Sequence, residues 1–140
     1  TLASTRHIMD SSAEKIISKI MSGTTYLLAE EHGEILGILD YGFRHKSVFG
    51  KHIVTFGLMT VKEARGRGIA TALINFFIDL AEKEGFKKIT IQVMGSNPAA
   101  LALYNKLGFV EEGRLKKEFF IDGDYVDDCF LAFYLDKSLM

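Results

Sequence analysis

The chain has 140 residues but only one cysteine, one proline and no surplus of either charge, and each shortage excludes something. A lone cysteine, Cys129, cannot form an internal disulfide framework and suits a reducing compartment, so a cytoplasmic location is expected. Basic side chains number 17 and acidic ones 18, a net charge of −1, without the basic excess that marks a dedicated nucleic-acid binder. No apolar run reaches the length of a membrane span, and the opening residues do not read as a secretory signal; no membrane partner is expected. His7, His32, His45 and His52 are scattered and no cysteine joins them at ligand spacing, so no metal site is expected. No Ser/His/Asp arrangement emerges, and Cys129, alternating within an apolar stretch, reads as core rather than nucleophile. With no repeat, low-complexity tract or linker, residues 1–140 read as one domain, large enough to bury an ordinary core.

The apolar residues that are present, 48% of the chain, fall into clear periods. Residues 1–9 show none. Ser11 and Glu14 form a capping-box pattern, Ala13, Ile16, Ile17 and Ile20 follow at helical spacing, and Gly23 closes a helix predicted over 12–22. Stretches 25–30 and 35–43 are rich in aliphatic, β-branched and aromatic residues, and His32-Gly33 between them predicts a hairpin. After a polar loop, 52–61 reads as a third strand, in which Gly57 suggests a bulge or a close backbone approach. Residues 68–84 are apolar around most of a helical circumference, which predicts a mostly buried helix, stopped by Gly85. Strand character returns at 89–94, and strand, helix and strand in so short a span predict a parallel crossover. Asn97 as N-cap and Pro98 at the first helical position open a helix that ends before Gly108. Stretches 109–120 and 125–135 flank Asp122-Gly123-Asp124, a second hairpin.

One short stretch carries chemistry. Arg65, Gly66, Arg67, Gly68, Ile69 and Ala70 stand between a strand and a helix. Glycine lets the backbone approach a ligand closely, and the first turn of a helix has unpartnered N–H groups and partial positive charge, so the stretch suits a polyanion. A surface turn with solvated arginines accounts for the same six residues. A Walker-type loop is excluded, because Gly68 is followed by Ile69 and Ala70. A dinucleotide fingerprint is excluded by Thr71 and by a strand, 89–94, that ends without a carboxylate.

Arg65-Gly-Arg-Gly68-Ile-Ala70, then an apolar helix, a strand, and Asn97-Pro-Ala-Ala-Leu-Ala-Leu-Tyr104-Asn-Lys-Leu-Gly108-Phe109 together resemble the GNAT superfamily of N-acetyltransferases. The first segment matches its Arg/Gln-x-x-Gly-x-Gly/Ala signature and the second its Asn…Ala…Leu-Tyr…Gly-Phe signature. The tail from Glu111 to Asp128 is similar to the branch holding ribosomal-protein N-terminal acetyltransferases and relatives acting on small amines. The resemblance implies an α+β fold in three α/β/α layers, with a mixed, mostly antiparallel sheet splayed between two parallel strands, here 52–61 and 89–94. It implies acetyl-CoA as cosubstrate, its pyrophosphate on the backbone of Arg65 to Ala70. The pantetheine arm would lie against the backbone of Leu58, Met59, Thr60 and Val61 like an added strand. Asn97 would contact the cosubstrate, although it serves equally as a helix cap. Tyr104 would protonate the departing thiolate, although spacing alone places it in the core beside Ala100 and Leu107.

The activity implied is acetyl transfer to a primary amine, a small molecule or a peptide N-terminus, by direct attack. The alternative is a non-catalytic acyl-CoA-binding or sensor domain on the same fold. Two departures bear on this. Relatives in that branch often carry a glutamate base where Thr55 stands; here the amine is expected to lose its proton through water or to a carboxylate outside the third strand, with Asp40, Glu118, Asp127 and Asp128 as candidates on strands or strand ends. The strand and helix that normally open the fold are expected to be shortened or absent, because residues 1–10 are too few for both. An unpaired sheet edge would follow, and with it a homodimer or a weakly structured start.

Overall fold

The computed structural model describes residues 2–4 and 24–140. In chain order these form β1 (Leu2–Ser4), β2 (Thr25–Glu31), β3 (Glu34–Phe43), β4 (Ile53–Thr60), α1 (Ile69–Lys83), β5 (Lys88–Met94), α2 (Pro98–Lys106), β6 (Val110–Ile121) and β7 (Asp124–Tyr134). The strands make one seven-stranded sheet in the order β1-β2-β3-β4-β5-β7-β6. Only β4 and β5 run parallel; every other neighbouring pair is antiparallel. This is the mixed sheet that the resemblance implies. The helix predicted over 12–22 lies outside the described residues.

Local chemistry explains the two tight hairpins. His32 and Gly33 have φ of 53° and 81°, and Asp122 and Gly123 have 51° and 85°. Two successive left-handed residues make the turn whose twist matches that of the flanking strands. The pairing then runs Thr25↔Tyr41 to Glu31↔Glu34 between β2 and β3, with one slip at Ala29/Glu30, and Gly37↔Thr60 to Phe43↔Val54 between β3 and β4.

The core lies between the sheet and α1. Leu73, Ile74, Phe77 and Ala81 are completely buried, at helical spacing, against Leu27, Leu39, Val54 and Ile89. The Phe77 ring lies 4.9 Å from that of Tyr41 and 5.2 Å from that of Phe56. Gly37 on β3 lets α1 come close, since a Cβ there would meet Leu73 Cδ1 at 3.0 Å and Ile69 Cγ2 at 3.1 Å. Tyr41 Oη donates to Glu84 Oε1 at 3.1 Å and ties the sheet to the end of the helix. Cys129 is fully buried and its thiol pKa is raised by burial, which fits a core residue.

The structure sharpens three expectations. The helix at 69–83 buries one face rather than most of its circumference, and Phe76 is 40% exposed. The opening strand is shortened, as expected, to Leu2–Ser4, and it pairs with Leu27, Leu28 and Ala29, so the edge of β2 is covered over those three residues. Gly57 makes no bulge against β3, because the register passes through it unbroken as Asp40↔Gly57. It marks a close approach instead: a Cβ at 57 would meet Asp40 Oδ1 at 2.7 Å.

Candidate active site

The sheet opens at one place. Strands β4 and β5 pair only at Ile53↔Lys88, Val54↔Ile89 and Thr55↔Thr90. Beyond Thr55, β4 stays bonded to β3 as far as Thr60, so its edge toward β5 presents backbone groups without a ladder. Thr55 Oγ1 donates to the Thr90 carbonyl at 3.0 Å, at the last paired position. The opening is a cleft of about 710 Å³. It gathers Leu58, Thr60, Ala70, Asn97 and Tyr104 from three separate elements or their ends. Met59 is not among its lining; that side chain is 72% exposed, and Val61 is 39% exposed.

Past the end of β4 the chain makes a one-turn 3-10 helix, Lys62–Ala64, and then the glycine turn. Gly68 is the N-cap of α1 with φ 77°, a left-handed conformation that glycine adopts without strain. It brings no side chain to cap the helix, and no acidic residue stands in the first turn. The Arg65 and Arg67 amides donate to Lys62 O at 3.2 Å and Ala64 O at 3.3 Å. That leaves the amides of Gly66, Gly68, Ile69 and Ala70 without a backbone acceptor among the described residues. Uncapped donors at the positive end of a 15-residue helix are suited to an anion. The two arginines differ: Arg67 pairs with Glu31 at the end of β2, whereas Arg65 is exposed.

Opposite the glycine turn, the cleft is walled by α2. Asn97 Oδ1 accepts from Ala100 N at 3.1 Å, so this side chain caps the helix and lines the cleft together. Tyr104 is 5% exposed, with its ring 6.0 Å from Phe56 and 5.4 Å from Phe109. Its hydroxyl has no hydrogen-bond partner among the described residues. Burial pushes its pKa up from 10 to about 12, which keeps the phenol protonated at any ordinary pH.

The carboxylates divide by position. Asp127 accepts from Lys117 N at 2.9 Å and Arg114 Nη1 at 3.1 Å; these two bonds hold its pKa down and fix the β6–β7 hairpin. Glu118 is exposed on β6. Asp40 lies against Gly57, a cleft residue. Asp128 is 4% exposed and accepts from Gln92 Nε2 at 2.8 Å. Gln92, Met94 and Ser96 line the cleft and were missed from the sequence. The available signal was Gln92, the one long polar side chain inside the run Ile89–Val93.

The model of the acetyltransferase (GNAT) family matches residues 6–109. This chain belongs to the GNAT acetyltransferase family. Among curated GNAT relatives it is similar to the spermidine N(1)-acetyltransferase of Vibrio cholerae, 35% identical over 94 residues, which are 66% of this chain and 51% of that protein. The chain therefore spans about half the length of that relative. Among solved structures it is similar to smu.2055 from Streptococcus mutans UA159, with a TM-score of 0.84 and 38% identity, covering 94% of this chain and 84% of that one. The same fold recurs in a GNAT superfamily phosphinothricin acetyltransferase from Sinorhizobium meliloti, solved in complex with AcCoA. The match has a TM-score of 0.82 and 24% identity, and covers 95% of this chain and 75% of that one.

Proposed function

We propose that this chain transfers an acetyl group from acetyl-CoA to a primary amine, a small molecule or a peptide N-terminus, by direct attack on the thioester. One observation carries the reading: the parallel pair β4–β5 parts after Thr55↔Thr90, and the resulting cleft has a helix N-terminus at one rim and the Tyr104 wall beside it. The amides of Gly66, Gly68, Ile69 and Ala70 hold the pyrophosphate, helped by Arg65. The open edge of β4, from Leu58 to Val61, binds the pantetheine arm through backbone groups, and Asn97 borders its thioester end. As the C–N bond forms, the amine nitrogen sheds a proton through water; Tyr104 gives its proton to the thiolate as the C–S bond breaks and regains one from water. A free thiol ionises near 8.5, so at neutral pH the leaving sulfur needs a proton, and a phenol at about 12 still carries one.

A second reading, an acyl-CoA-binding domain without catalysis, draws on Thr55. Its hydroxyl is bonded to the Thr90 carbonyl, and threonine supplies no base. Calorimetric titration with acetyl-CoA, followed by a thiol-release assay over a panel of amines, separates the two. The transferase reading expects micromolar binding and amine-dependent thiol release. Binding without release for every amine supports the second reading, and absence of binding removes both.

A further inference from the structure

Gln92 is the one long polar side chain that β5 sends to the cleft, and behind it stands a buried carboxylate. Asp128 is 4% exposed on β7, and its Oδ2 accepts from Gln92 Nε2 at 2.8 Å. An ionised carboxylate only accepts hydrogen bonds. It therefore fixes which end of the Gln92 amide faces inward: the NH₂ turns to Asp128 and the carbonyl oxygen turns away from it. Gln92 is exposed and lines the cleft, and its Oε1 has no partner among the described residues. The cleft is thus offered a hydrogen-bond acceptor whose direction is set from below.

We infer that Gln92 Oε1 binds the acceptor amine through an N–H and that Asp128 is the residue that positions it. The inference rests on the transferase reading and adds to it the group that receives the amine. A nitrogen that attacks a thioester carries N–H donors to the end, so an acceptor atom beside the cleft suits it and a donor there repels it. Position supports the assignment. Gln92 lies two residues beyond Thr90, the last residue of β5 that pairs with β4, and so where the strands have parted. Across the opening stands Gly57, with the Asp40 carboxylate against it. The two flanks of the opening on this face thus bring negative charge and an acceptor oxygen, which select an amine over an anion.

The test inverts the polarity of the pair. Asp128→Asn lets the new amide donate to Gln92, whose NH₂ then faces the cleft. The Michaelis constant for the amine should rise about tenfold, the value of one hydrogen bond, with kcat little changed. Gln92→Ala should do the same. In the double variant Asp128→Asn/Gln92→Glu the new amide at 128 donates to the new carboxylate at 92, which again presents an acceptor oxygen to the cleft, and the Michaelis constant should return to within about threefold of the parent. Acetyl-CoA affinity, by calorimetry, should stay within about twofold throughout. A Michaelis constant unmoved in Asp128→Asn, or a double variant no better than the single, overturns the inference while leaving the transferase reading intact. A second readout needs no turnover: the ¹⁵N–¹H resonances of the Gln92 side-chain amide, titrated with spermidine in the presence of coenzyme A. They should shift in the parent and not in Asp128→Asn. A shift in a parent that acetylates no amine keeps the inference and removes the transferase reading; no shift in the parent overturns the inference.

Discussion

Tyr104→Phe removes one oxygen and keeps the ring, so it separates packing from chemistry. The ring is 5% exposed between Phe56 and Phe109, and phenylalanine preserves those contacts. The hydroxyl has no partner among the described residues. Leaving such a group buried and unbonded costs roughly 1–3 kcal/mol on mutational scales. Part of that cost is relieved by contact with the cleft, so the variant should be as stable as the parent or up to about 1 kcal/mol more stable by urea unfolding. Turnover should move the other way. A positioned general acid contributes about 10²–10⁴-fold, and kcat should fall within that range while acetyl-CoA affinity holds. The alkaline limb gives a second check. The unfolded chain loses the phenolic proton near pH 10, whereas the folded chain keeps it to about 12. Above pH 10 the unfolded state therefore binds fewer protons, and stability declines as pH rises from 10 to 12. This one group accounts for about 2 kcal/mol of that decline, and Tyr104→Phe should remove it. A kcat within about twofold of the parent, with chemistry shown to be rate-limiting, would refute the assignment and return Tyr104 to the core.

Gly68→Val tests the anion turn: nothing lies within 4 Å of a Cβ there, but φ is 77°. The left-handed backbone should cost about 1–2 kcal/mol, leaving the fold intact, while acetyl-CoA affinity in calorimetry drops more than about tenfold; unchanged affinity contradicts the turn's role. Thr55→Ala removes only the 3.0 Å bond to the Thr90 carbonyl. It should lower stability by about 1 kcal/mol and leave kcat within about twofold; abolished turnover in a folded variant would make Thr55 a participant.

Most of the element order was legible because its signals are local. His32-Gly33 and Asp122-Gly123 each set a turn with their own φ angles, and Asn97-Pro98 starts a helix wherever it stands. The crossover from β4 through α1 to β5 follows from length alone. The features that were not legible depend on what lies across the sheet. Phe76 has the hydrophobicity of Phe77, and only the direction in which the helix docks leaves one 40% exposed and the other fully buried. Gly37 has no turn to mark it; its reason is the α1 side chains packed at 3.0 Å and 3.1 Å. Gln92 and Asp128 are separated by 36 positions, and no local period joins them. Arg67 reads as a phosphate ligand in its own segment, but the return of β2 brings Glu31 to it. Of the candidate site, the sequence offered the residues of the turn and of α2 but not how the two walls face each other.

Only three residue pairs join β4 to β5, so the sheet consists of a half built from β1–β4 and a half built from β5, β7 and β6. The helices bridge the halves, but beyond Thr55 no backbone ladder does. An acyl donor seated there, as proposed, would supply bonds of the kind a strand would have made, and the ligand would become part of the folded architecture. Binding free energy then adds to cooperativity: the melting temperature climbs with ligand concentration, and the amides of 56–60 exchange with solvent more slowly once the gap is filled. On the proposed reading the protein is most complete as a fold when it is loaded, and it should loosen along this seam when coenzyme A departs.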